Sequence, residues 1–178
     1  PLACSGATIN VGFLGNQSIA ECASPGTNAA CAGLVRAQIV ELTEALAKAR
    51  TARADRQLDL VLLTIGANDI RFSALVGHVI IEAATERLLF GRGGHVATVA
   101  DSQKILDGAF PNDFTKLRAA LKPLVGGNLA RVVFSSYGHP ALVAPDTPCP
   151  GGRDGFDVHP AFGADSTRLR QVADFVSE

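Results

Sequence analysis

Apolar positions recur at helical spacing along parts of this 178-residue chain and in near-continuous runs along others, and the switches between the two lay out its elements. Between about Ala30 and Arg53, the residues Val35, Ile39, Leu42 and Leu46 fall on one face at helical spacing. Arg36, Glu41, Glu44 and Lys48 lie mostly off that stripe, as a solvated face should. The pattern then changes to a near-continuous apolar run, Leu58 to Ile65, ending at Gly66. Such a run predicts a strand covered on both faces, as in a parallel sheet between helices. A second helix is predicted from about Asp69 to Phe90, with Phe72, Val76, Ile80 and Ala83 on one face and Gly91–Gly94 ending it. Residues 95–109 read as a weaker helix or a loop. Another helix starts near Phe110, with Phe114, Leu117, Leu121 and Leu124 at helical spacing, and Gly126-Gly127 stops it. Leu129 to Tyr137 is the second predicted strand. An irregular Pro/Gly-rich stretch, 138–161, leads to a final helix from about Asp165 to Ser177.

Helices alternating with buried strands predict an α/β layered sheet. No repeat or linker divides the chain, so residues 1–178 read as a single domain. The stub before Ser5 would be a further strand, almost entirely cut away. With Pro1 at the start and no Met in the sequence, the chain is expected to be a processed or excised piece, incomplete at both ends.

Composition narrows the function classes. Hydrophobic residues make up 47% and charged residues 19%, with a formal net charge of −1. That supports a packed core and argues against a nucleic-acid partner, which calls for a basic excess. No apolar run approaches the roughly 20 residues of a membrane span, and no basic-then-apolar leader is visible. The four cysteines, Cys4, Cys22, Cys31 and Cys149, contain no C-x-x-C pair. Cys22 and Cys31 bracket a short loop and are the most economical disulfide, although four cysteines permit three connectivities. One or two disulfides would suit an exported protein, and a secreted or periplasmic location is the expectation. No histidine pair has metal-ligand spacing, so neither a metal nor a cofactor is expected.

The most informative stretch is Gly66-Ala67-Asn68-Asp69, at the C-terminal end of the first predicted strand. Ligands of open α/β sheets sit at that edge, because its loops project over the crevice. Gly66 permits a tight turn or a close backbone approach. Asn68 offers a neutral amide donor suited to an oxyanion. Asp69 stands where an N-cap carboxylate would satisfy free N–H groups of the next helix.

Those four residues resemble the third sequence block of the SGNH (GDSL-type) hydrolases, and Ala3-Cys4-Ser5-Gly6-Ala7-Thr8 resembles the second, as written in secreted actinobacterial-type esterases and lipases. The resemblance implies a three-layer α/β/α, flavodoxin-like fold with a mostly parallel sheet. It also implies an oxyanion hole made by the Gly6 N–H and the Asn68 side chain, with Ser5 and Gly66 beside the substrate. The family's serine nucleophile belongs to a Gly-Asp-Ser block upstream of the second block, and this sequence contains none. Asp165-Ser166 is only a distant echo of it. The family's Asp-x-x-His block, which supplies the base, has its nearest counterpart in Asp157-Val158-His159, one residue short. His159 is therefore the candidate base, with Asp154 as a fallback partner, and His139 is a candidate for lining the site.

The leading expectation is a serine esterase or lipase-like hydrolase acting on a small-molecule carboxylic ester, with this chain inactive alone. The alternative is a catalytically inactive α/β module that binds a ligand or another protein. A nucleotide binder is disfavoured, since no Gly-x-Gly-x-x-Gly follows a strand. Acyl length, substrate identity and oligomeric state are not readable in the sequence.

Overall fold

The computed structural model describes residues 6–18, 34–81, 85, 96–138, 142–144, 147–154 and 162–177. Helices and strands are mixed along them, with five α-helices, one parallel strand pair and two short antiparallel pairs. The chain divides into two compact units, Pro1–Asp69 with Ala109–Ser136, and Ile70–Gly108 with Tyr137–Glu178. The stub before Ser5, the Cys22–Cys31 loop and the Gly91–Gly94 cluster lie outside the described residues.

The first unit holds the parallel pair. Strand β1 (Gln17–Ser18) pairs antiparallel with β2 (Leu34–Val35), and helix α1 (Gln38–Ala52) follows. The N-terminus of α1 is satisfied from a compact loop. Gln38 N–H donates to Gly12 O, Ile39 N–H to Phe13 O, and the preceding Ala37 N–H to Asn16 Oδ1, which meets the orphan donors of a first helical turn. Strand β3 (Val61–Leu63) then pairs in parallel with β4 (Val132–Phe134), in the register Val61–Val132, Leu62–Val133 and Leu63–Phe134. Helix α4 (Phe110–Leu121) packs on this pair. Ile9, Phe13, Leu63, Leu117 and Leu121 form the core, closed by Ile39, Ile65, Phe110, Phe114 and Val132.

Burial along the ladder is not continuous, and β4 leaves both Val133 and Phe134 about half exposed. Leu63 is buried, but Leu62 is 72% exposed and Val133 beside it 45% exposed. Successive strand residues point to opposite faces, and α4 covers one of them. The regular strands are also shorter than the apolar runs. Leu129–Arg131 forms a 3₁₀ turn, started by the Asn128 side chain accepting from Ala130 N–H.

The second unit is built from α2 (Phe72–Ile80), α3 (Val99–Asp107), α5 (Ser166–Ser177) and the short pair β5 (Leu142–Ala144) and β6 (Thr147–Pro148). Leu75, Val79, Val172 and Phe175 make its core. The buried face of α2 is thus Leu75/Val79, while Val76 from the anticipated stripe is 39% exposed. Packing against α5 chooses the face here, and a helix that is apolar nearly all round leaves that choice to its neighbours. Arg168 of α5 donates to the carbonyls of His78 and Ile81 at the end of α2. Helix α3 opens with a capping box, in which Thr98 Oγ1 accepts from Asp101 N–H and Asp101 accepts from Thr98 N–H.

Among the described residues no helix is long and apolar enough to cross a membrane. Cys149 is half-buried and carries a free thiol.

Candidate functional site

Strand β3 delivers the chain to a turn that begins at Gly66. This glycine is buried, with φ +113°, and a Cβ there would lie 3.0 Å from Phe110 Cζ. Both facts require glycine, since an L side chain is strained at that φ and the ring fills the space. The Phe110 ring packs edge-on against Phe114 at 4.8 Å, and Phe114 meets Phe134 at 5.6 Å. The floor under the turn is therefore aromatic and fixed.

The two residues that end the turn reach back to the beginning of the chain. Asn68 donates from Nδ2 to the carbonyl of Ala7 at 2.9 Å. Asp69 accepts the Ile9 N–H on Oδ1, also at 2.9 Å. Consecutive side chains thus pin the peptide groups on either side of Thr8, next to Gly6, which sits at φ +71°. The pinned turn is ordered from within as well. Thr8 N–H donates to Val11 O, Thr8 Oγ1 accepts from Val11 N–H, and Leu14 N–H donates to Ile9 O. Ile9, fully buried, anchors it in the core.

The electrostatics centre on Asp69. Burial pushes its carboxyl above the usual aspartate range. The Ile9 bond and its own backbone N–H oppose that, and the nearby Asp113 charge adds to it. Among the described residues, the buried Oδ2 of Asp69 has no hydrogen-bond partner. Asp113, in the first turn of α4, behaves oppositely. Lys116 Nζ lies 2.8 Å from its Oδ1, and that bond, followed by one from the Asn10 side chain, holds its carboxyl below the usual range.

Of the residues singled out in the sequence, Gly6, Gly66 and Asn68 are described and belong to the same unit, where the bonds above join the two turns. Ser5, His139 and His159, with Asp157, lie outside the described residues. Asp154 is exposed. Asp69 does not cap the following helix. Its carboxylate goes to Ile9, and α2 starts later, at Phe72, behind Arg71 in a left-handed conformation. Asp165 takes the capping part for α5, accepting from Thr167 and Arg168 N–H. Asn10, Asp113 and Lys116 were not singled out in the sequence. An acidic residue in a first helical turn reads as an ordinary dipole partner, and nothing local ties it to a loop near residue 10. No three His, Cys, Asp or Glu side chains among the described residues come together as a metal site would require.

Chemically, the paired turns present one side-chain amide and a glycine-containing backbone turn side by side, over an aromatic floor. Nδ2 of an asparagine carries two hydrogens, and the Ala7 bond uses one. Comparison with known proteins adds no relative, since no protein-family model, no curated protein and no solved structure matches the chain.

Proposed function

We propose that this chain carries the anion-holding half of a serine hydrolase site of SGNH type, in a three-layer α/β/α domain, for acyl transfer from carboxylic esters. The observation that supports this reading is the Asn68–Ala7 bond, which sets the Asn68 amide against the turn that begins at Gly6. In the proposed reaction a serine attacks the ester carbonyl, and a histidine takes its proton and returns it to the leaving alcohol. The negative charge that develops on the carbonyl oxygen is met by the second Asn68 N–H and the Gly6 N–H. Neutral donors suit this role because they stabilise the anion without binding a charged ground state.

The attacking serine belongs, on this reading, to a Gly-Asp-Ser segment that the 178 residues do not contain, and His159 is the candidate base. The chain by itself is accordingly expected to hydrolyse esters hardly at all. The test begins with the reading frame upstream of Pro1, which should encode Gly-Asp-Ser. The polypeptide that includes it should hydrolyse a short-chain nitrophenyl ester. Asn68→Ala in that polypeptide should lower turnover by about 10²–10³-fold, the usual effect of losing one oxyanion donor. A frame without the serine segment, or turnover untouched by Asn68→Ala, overturns the hydrolase reading.

A further inference from the structure

Asp69 is harder to explain than its neighbour. A carboxylate whose second oxygen is buried and has no partner among the described residues carries a desolvation cost that a capping or surface role would avoid. Its first oxygen accepts the backbone N–H of Ile9, and besides that bond only the residue's own backbone N–H favours the ionised form. That bond ties the turn after β3 to the turn containing Gly6. Ile9 and Asn68 leave little other freedom between the two turns, since Ile9 is fully buried and Asn68 holds Ala7 O.

We propose that Asp69 is the positioning residue of the anion site, its ionised carboxylate clamping the Ile9 N–H so that the Gly6 turn is held against Asn68, and that protonation of this carboxyl relaxes the clamp. The proposal rests on the hydrolase reading for its consequence, while the clamp itself is a property of this chain. A bond from an N–H to a carboxylate is roughly twice as strong as one to a neutral acceptor, so adding a proton weakens the hold without breaking a covalent or packing contact. The charge that acts on Asp69 is that of Asp113 in α4, itself paired with Lys116, and β3 carries only the apolar Val61, Leu62 and Leu63. The direction of the field agrees with the geometry. Burial and Asp113 both favour the proton, placing the change above the range of an ordinary aspartate.

The experiment follows the Ile9 amide by ¹H–¹⁵N NMR in the 178-residue chain as pH is lowered. The expected result is a single upfield step in the Ile9 amide proton, with its midpoint above the ordinary aspartate range, abolished in Asp69→Asn. In Asp113→Asn the step should persist with a lower midpoint, because the neighbouring negative charge is gone. A flat Ile9 amide overturns the proposal, as does a step that survives Asp69→Asn or one that vanishes in Asp113→Asn. In the ester-hydrolysing polypeptide the base histidine gives the kcat profile an acid limb of its own, so the clamp should appear as a further loss of kcat at the Ile9 midpoint, which Asp69→Asn should remove while the histidine limb stays. The two readings fail separately. A titrating Ile9 with ester turnover indifferent to Asn68→Ala keeps the clamp and removes the hydrolase, and the opposite pair of results removes the clamp alone.

Discussion

Asn68 and Ala7 are joined by a 2.9 Å hydrogen bond from a side-chain amide to a backbone carbonyl, a tie between two turns far apart in the chain. Its removal has a structural cost separate from any catalytic one. Asn68→Ala in the 178-residue chain should lose about 0.5–1.5 kcal/mol of stability, the net value of one such bond. Urea denaturation should show a lower midpoint with an unchanged slope. A midpoint equal to wild type would mean that the bond contributes nothing to folding.

Asp69 should show the reverse sign. Burial raises its folded-state pKa above that of an unfolded aspartate, so folding favours the protonated form. The stability this contributes is fully present below the unfolded value, about 3.9, and is lost as pH rises through the raised folded value. Asp69→Asn keeps an acceptor oxygen for Ile9, and sheds both the buried charge and its repulsion with Asp113. The variant should therefore be more stable than wild type at neutral pH, with a higher Tm. The gap should close on acidification. Thermal melts of both proteins across the acid range check this, and a gap that widens toward low pH would contradict it.

Gly66 combines a left-handed φ with a ring against its Cβ position. Gly66→Ala should cost on the order of 1–3 kcal/mol, from backbone strain plus displacement of Phe110. The Phe110→Leu background should recover the packing part of that loss and leave the backbone part. Double-mutant analysis by denaturation measures the recovered fraction.

Thr98 starts α3 through a reciprocal capping box with Asp101. Thr98→Ala should cost about 0.5–2 kcal/mol. Asp101 has its carboxyl held down, chiefly by the Thr98 backbone N–H, so the cap's charged share is present above the unfolded aspartate pKa and lost as pH falls through the lowered one. Amide exchange along Val99–Asp107 should accelerate in the variant.

The parts of this fold that are legible in the sequence are those where one face is clearly apolar. Ile39, Leu42 and Leu46 mark α1, and Leu117 and Leu121 mark α4 as the helix whose face is buried in the core. Where apolar residues surround an element, pattern alone does not choose. Helix α2 buries Leu75 and Val79 in place of Val76, and the run at Leu58–Ile65 leaves Leu62 in solvent. The capping box at Thr98 was readable as Thr-x-x-Asp, but the stretch around it looked weak because its apolar residues are sparse. At the site, Gly66 and Asn68 stand out because glycine and a neutral amide after a strand are unusual in combination. The role of Asp69 was not legible, because its partner is a backbone N–H at Ile9, and a backbone group leaves no mark in the letters of a sequence. Asp113 has a local partner in Lys116, three residues on in α4, but its nearness to Asn10 and Asp69 stayed hidden for a related reason, since only tertiary packing brings that loop and turn close.

The parallel register that pairs Val61 with Val132 also dictates an order of events when the chain is made. β3 leaves the ribosome well before its hydrogen-bonding partner exists, and Leu60, Leu62 and Leu63 travel unpaired until β4 has emerged. Closing so wide a loop is slow compared with forming α1 or α4. The newborn polypeptide therefore passes through a stage in which Leu63, buried in the finished fold, is still bare.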